Sequence, residues 1–159
     1  MLAQQPDALR QWFEQLQATI EQLGVQPDDM YNMDETGCRI GVASSQYVYS
    51  VGGRQVFVAH ANNRELITLV ECVCSTGFAI EPMVIIKAAT IMEQWVVDLP
   101  DNYLIAISES GYSNDQLALA WLKHFDRRTK QRSTGAWRLL LVDGHGSHST
   151  REFIEYAEQ

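Results

Sequence analysis

The stretch WRLLLVDGHGSH, Trp137 to His148, constrains this chain more than any other. Leu139 to Val142, with Trp137, are apolar enough for a strand buried on both faces. That strand ends at a carboxylate, Asp143, followed by a glycine-rich turn that holds His145 and His148. An apolar strand delivering an acid into a turn at its carboxyl end is a common way for an α/β sheet to place a metal ligand or a catalytic group. The same residues would also suit an acid that only caps its loop. The deciding question is whether the rest of the chain supplies Asp143 with partners.

Asp34 is the first candidate. Read as a strand, MYNMDETG (30–37) puts Met30, Asn32 and Asp34 on one face and Tyr31, Met33 and Glu35 on the other. Asp34 is then an acid at a strand end, with Gly37 shortly after it. A helical crossover between the Asp34 and Asp143 strands makes them parallel. If they are neighbours, side chains at one level lie about 5 Å apart. Two carboxylates so close repel unless a cation lies between them. Mg²⁺, which takes oxygen ligands, suits such a pair. With a further acid, two metals could activate a water and stabilise the leaving oxygen of a phosphodiester. Glu71 projects among apolar residues and reads as a surface or hydrogen-bonded carboxylate, with a third active-site acid as the alternative.

The remaining elements frame these two strands. Asp7 caps an amphipathic helix over about 8–23, whose Leu9, Trp12, Phe13, Leu16, Ile20 and Leu23 read as core contacts before Gly24 ends it. Short strand-like pieces within 38–60 predict hairpins. ELITLVECVC (65–74) reads as a central strand. The turn Ser75-Thr76-Gly77 returns the chain antiparallel through FAIEPMVIIKA (78–88), and Pro82 places that return strand at a sheet edge. Residues 90–103 are irregular or briefly helical around Trp95, and 103–110 form another strand. Ser113 to Gln116 and Ser149 to Glu152 match capping boxes opening two further helices.

Net charge is −8, which argues against strong nonspecific nucleic-acid binding by this segment alone. The one basic cluster, Arg127, Arg128, Lys130 and Arg132, is a solvated loop or a set of phosphate contacts. Cys38, Cys72 and Cys74 lack a zinc-ligand spacing and read as free thiols. No apolar run is long enough to span a membrane, and the N-terminus does not read as a secretory signal.

The residues YNMDETG (31–37), NNRELITLVECV (62–73), PMVIIK (82–87), SESGYSNDQLALAWLKHFD (108–126) and GAWRLLLVDGHGSHSTREFIEYAE (135–158) together resemble the catalytic domain of pogo-like transposases. These belong to the mariner superfamily, among the DDE superfamily endonucleases, and the likeness is to their fungal branch. The resemblance implies an α/β fold, an RNase H-like mixed sheet with flanking helices, incomplete at its C-terminal end. It divides the chain into a helical lead-in, 1–26, and a partial endonuclease domain, 27–159. It also implies Mg²⁺ or Mn²⁺ held by acids, of which Asp34 and Asp143 match the first and second. His145 and His148 match the family's turn, with a structural or substrate-positioning role. DNA (transposon ends and target), a homo-oligomer and the nucleus are the implied partners and place. The family's third acid comes a few dozen residues after the second, and only 16 residues follow Asp143 here. Glu152, Glu155 and Glu158 lie on the helix after the turn and do not match that later motif. The expectation is therefore a fragment inactive by itself. The alternative is a domesticated, non-catalytic module binding nucleic acid or protein. DGHG also occurs in metal-dependent protein phosphatases, but nothing else here matches them.

Overall fold

The computed structural model describes residues 6–39, 66–92 and 102–159. The hairpins expected after Arg39 and the helical turn expected around Trp95 lie outside the described residues. Five strands form one mixed sheet in the order β4-β3-β2-β1-β5. They are β1 (Met30–Arg39), β2 (Leu66–Cys74), β3 (Ala79–Lys87), β4 (Leu104–Ser108) and β5 (Leu139–Leu141). Helices α1 (Pro6–Leu23), α2 (Asp115–Thr129) and α3 (Arg151–Ala157) flank them in sequence.

The sheet is built on one hairpin and two parallel additions. Gly77, with φ of 92°, supplies the left-handed residue that turns β2 into β3, and Cys74 N donates to Phe78 O across the turn. β1 pairs antiparallel with β2, while β5 joins β1 and β4 joins β3 in parallel. The parallel β1–β5 neighbourhood expected from the helical crossover is present. β2 occupies the centre, as its apolar run predicts.

β3, by contrast, is not an edge strand: it lies between β2 and β4. The pairing with β2 slips between Val70 and Cys72, so that Glu81 and Pro82 together oppose Glu71. A bulge of this kind accommodates the donor that proline lacks. The β4 ladder begins only at Met83, one residue beyond the proline.

Alternation along the strands selects the core. Tyr31 and Met33 of β1, Val70 and Cys72 of β2, and Met83 and Ile85 of β3 are all buried. They meet Trp121, Leu122 and Phe125 of α2 and Phe153 of α3. Phe125 sits edge-on to Tyr31 at 5.1 Å and stacks on Trp121 at 5.7 Å, arrangements that the ring quadrupole favours. Cys72 and Cys74 share this buried side, and both are free thiols. Burial, with Cys74 close by, pushes the Cys72 thiol up to about 12, so it packs as a small apolar residue.

Both later helices begin one residue beyond the expected serine. Asn114, in extended conformation, caps α2 by accepting from Leu117 N at 3.0 Å. Thr150 caps α3 by accepting from Phe153 N at 3.3 Å. In each case an oxygen three residues before the recipient amide satisfies a donor that the first helical turn leaves unpaired.

The apolar face of α1 departs from expectation. None of its residues is buried, and Leu9, Trp12 and Phe13 are about half exposed. Its spacing makes an amphipathic helix, but among the described residues that face does not enter the core.

A buried carboxylate at the foot of β1 anchors the segment leading into β5. Asp29 is fully buried and accepts from Thr134 N (3.0 Å), Thr134 Oγ1 (2.9 Å) and Gly135 N (2.6 Å). Burial pushes its carboxyl up, but the bonds from Gly135, Thr134 and Ser133 outweigh it and hold the group below the ordinary carboxylate range.

Candidate metal centre

On β1, Asn32 and Asp34 are exposed, on the face opposite the buried Tyr31 and Met33. β1 continues through Thr36, Gly37 and Cys38, which pair with Leu69, Thr68 and Ile67. Asp34 therefore stands inside the strand, not at its end, because the ladder with β2 carries the backbone past Gly37. Its Oδ1 accepts from Glu35 N at 2.8 Å.

Two other acids lie close to the same level. Across the antiparallel ladder Asp34 pairs directly with Glu71, which is exposed. On the other side Asn32 pairs with Leu141 in parallel register, and Asn32 Nδ2 donates to Leu141 O at 3.3 Å. Two residues further along each chain stand Asp34 and Asp143. Strand β5 covers only Leu139–Leu141 and is a half-buried edge strand, so Trp137, Val142 and Asp143 lie outside it. Trp137 is 51 % exposed, which corrects the reading of a long strand buried on both faces.

Beyond β5 the glycine turn holds Asp143 by its own geometry. His145 N donates to Asp143 Oδ1 at 3.1 Å. His145 Nδ1 contacts Ser147 Oγ at 2.8 Å and caps the short helical turn Gly146–Ser149. His148 Nδ1 lies 2.9 Å from Asp143 Oδ1 without hydrogen-bond alignment, and its Nε2 has no partner among the described residues. The His148 side chain is 4 % exposed, and its ring packs 5.7 Å from Phe153. The Asp143 side chain is 61 % exposed.

These donors suit a hard divalent cation. Among the described residues neither Asp34 nor Asp143 forms an ion pair with Lys or Arg. One oxygen of each carboxylate has no hydrogen-bond partner in that set. Oxygen donors left open in this way match what Mg²⁺ or Mn²⁺ takes. Among the described residues no three His, Cys, Asp or Glu side chains are grouped closely enough to hold a metal. Among the described residues Glu71 stands beside Asp34 in the backbone register, and no third such side chain joins Asp34 and Asp143.

Glu71 is exposed, as expected of a surface carboxylate. Its period-2 position was legible, but its place opposite Asp34 needed the register of β1 on β2. Like charges directly opposite on a sheet repel. Glu71→Gln is expected to raise the melting temperature by about 1–3 °C in a calorimetric scan without added metal. A lower melting temperature would show that the pair is not repulsive.

The basic cluster lies elsewhere. It sits at the C-terminal end of α2, which packs on the Tyr31 and Met33 side of the sheet, away from Asp34. Arg128 forms an ion pair with Glu81 and holds that carboxyl down at about 2. Arg132 stacks over the Phe78 ring at 3.7 Å. Arg127 and Lys130 are exposed. On α3, Glu155 pairs with Arg151 at 2.6 Å and Glu152 is exposed, as is Glu158 just beyond the helix end.

Comparison with known proteins places this arrangement. A curated relative, the MFS-type transporter clz9 of Cochliobolus lunatus, is 30 % identical over 135 residues, covering 83 % of this chain but 15 % of that protein. No helix among the described residues is long and apolar enough to cross a membrane. Among solved structures, the Mos1 transposase paired-end complex with the left transposon end matches with a TM-score of 0.55 at 14 % identity, over 91 % of this chain and 37 % of that one. The Mos1 mariner paired-end complex with Mn matches at 0.53 and 15 % identity over 91 % and 37 %. That with Mg matches at 0.55 and 12 % over the same shares. The chain thus has the RNase H-like mixed sheet of those proteins while spanning little more than a third of their length. The family described as DDE superfamily endonuclease matches residues 63–159, from just before β2 through Asp143 to the last residue. By that match this chain belongs to the DDE superfamily endonucleases.

Proposed function

We propose that this chain is the part of a pogo-like transposase catalytic domain that carries its first two acids, Asp34 and Asp143. In this reading the two carboxylates bind Mg²⁺ or Mn²⁺, and the intact protein uses that centre to cut DNA at transposon ends and join the freed 3′ end to target DNA. The observation that carries the reading is the β1–β5 register, Asn32 on Leu141, with an acid two residues beyond each. A bound divalent cation would supply activation of water and stabilisation of the leaving oxygen. The chain's part is to hold Asp34 on the sheet and Asp143 in the turn just beyond β5, both unpaired with Lys or Arg among the described residues. With no third acid grouped with these two among the described residues, weak cation binding and negligible strand transfer are the expected behaviour of this chain tested alone.

DNA as substrate, self-association and a nuclear location belong to the same proposal. Of these, DNA draws support from structural neighbours solved as transposon-end complexes. The phosphate-contact role of Arg127 and Lys130 is confined to DNA lying against the C-terminal end of α2.

Mn²⁺ titration followed by electron paramagnetic resonance tests the centre. Asp34→Asn and Asp143→Asn are each expected to weaken Mn²⁺ binding at least tenfold, with unfolding temperatures unchanged or slightly raised. Robust cleavage of a labelled duplex by the unsubstituted chain, abolished by Asp143→Ala, would overturn the inactivity. Wild-type Mn²⁺ affinity in both Asn variants would overturn the centre.

The exposed apolar face of α1, with Leu9, Trp12 and Phe13, favours a second reading, a non-catalytic module that binds protein. In that case partner binding survives Asp34→Asn and Asp143→Asn and is lost on Trp12→Ser.

A further inference from the structure

We infer that His148 is a positioning residue for Asp143: a fixed, buried imidazole that holds one carboxylate oxygen so that the other stays available to a divalent cation. The inference rests on the metal-centre reading and adds to it a residue that binds no metal itself.

The asymmetry of the pair is the main observation. Nδ1 of His148 lies 2.9 Å from Asp143 Oδ1, yet the imidazole side chain is 4 % exposed and the carboxylate 61 %. The ring is held between Phe153 at 5.7 Å and His145 at 5.9 Å, and both neighbours lie in the same turn-helix segment. The carboxylate is on the surface, beyond the end of β5. His148 is therefore the fixed member and Asp143 the movable one.

A second observation is that His148 is expensive to bury for packing alone. Its Nε2 has no hydrogen-bond partner among the described residues, and Nδ1 has only the unaligned contact with Asp143. A phenyl ring would fill the same place against Phe153 without leaving polar atoms unsatisfied. What an imidazole adds there is a ring nitrogen 2.9 Å from the carboxylate, close enough to donate to it once the exposed Asp143 side chain turns into line. His145 N donates to the same oxygen, Oδ1, at 3.1 Å. Both contacts fall on one oxygen, and Oδ2 has no partner among the described residues. Partners of this kind orient ligating carboxylates, and losing one typically costs about 10–100-fold in metal affinity.

The test compares three variants of the full chain by Mn²⁺ titration, each with its unfolding temperature. His148→Phe keeps the ring and removes the donor. His148→Asn keeps a donor near the Nδ1 position, and His148→Gln moves it towards that of Nε2. The expected result is Mn²⁺ affinity about 10–100-fold lower in His148→Phe and His148→Gln, within about threefold of the original in His148→Asn, and cooperative unfolding throughout. Mn²⁺ affinity in His148→Phe equal to that of the unsubstituted chain would overturn the inference. If His148→Phe does not fold, equal affinity of the Asn and Gln variants would do the same. Asp143→Asn separates the two levels of argument: if it leaves Mn²⁺ binding unchanged, the cation is not at Asp143, and the metal-centre reading falls together with this one. Loss of binding in Asp143→Asn alone, with all three His148 variants unaffected, keeps the centre and removes only His148 from it.

Discussion

Asp29→Ala is expected to destabilise the fold by about 2–4 kcal/mol, because it removes the acceptor of three donors at once. Thr134 N, Thr134 Oγ1 and Gly135 N all converge on this one fully buried carboxylate. They tie the segment leading into β5 to the start of β1, so the register of β5 on β1 depends on them. At about 2–4 °C per kcal/mol for a chain of this size, the melting temperature should fall by about 5–15 °C. The effect also carries a pH signature. The folded-state pKa of Asp29 lies below its ordinary value. Its contribution is therefore complete above about pH 4 and is lost as the pH falls through the folded value. The gap in melting temperature between the unsubstituted chain and Asp29→Asn should narrow as the pH drops from neutral towards 3. A constant gap would show that the ionised carboxylate is not what the Thr134–Gly135 segment recognises.

The second large effect is expected in the core. Trp121→Ala should cost about 3–5 kcal/mol, from lost burial and the cavity it leaves. Trp121 is 2 % exposed and stacks on Phe125, which in turn meets Tyr31 of β1. Trp137→Ala is the matched control: at 51 % exposure it should change stability by about 0.5 kcal/mol or less. Denaturant unfolding of the two variants reads both. Similar losses in the two would contradict the placement of Trp137 outside the core.

Those two tryptophans show where sequence reading reaches its limit. Trp121 falls at helical spacing with Leu117, Leu122 and Phe125, so its burial was legible from periodicity. Trp137 precedes an apolar run, but the strand that follows covers only Leu139–Leu141 at the sheet edge and leaves Trp137 outside it, about half exposed. Leu9, Trp12 and Phe13 carry equally good helical spacing and remain exposed. Periodicity shows which face of an element is apolar but not whether another element arrives to cover it. Pro82 is the converse case. Its missing donor was read as excluding the sheet interior, and a bulge opposite Glu71 admits it there.

By itself the sequence determined the elements and their chemistry. Alternation in MYNMDETG put Asp34 on the face away from Tyr31 and Met33, and an apolar run led directly into Asp143. Local steric and hydrophobic preferences act within a few residues and leave a readable pattern. Only the tertiary structure decided which strands are neighbours and at what register, because those pairings join residues well apart in the chain, 37 positions for Asp34 and Glu71 and 109 for Asn32 and Leu141. It is this register that sets Glu71 opposite Asp34 and brings β5 alongside β1, with the approach to β5 anchored on the buried Asp29, while packing on Phe153 fixes His148 beside the exposed carboxylate of Asp143.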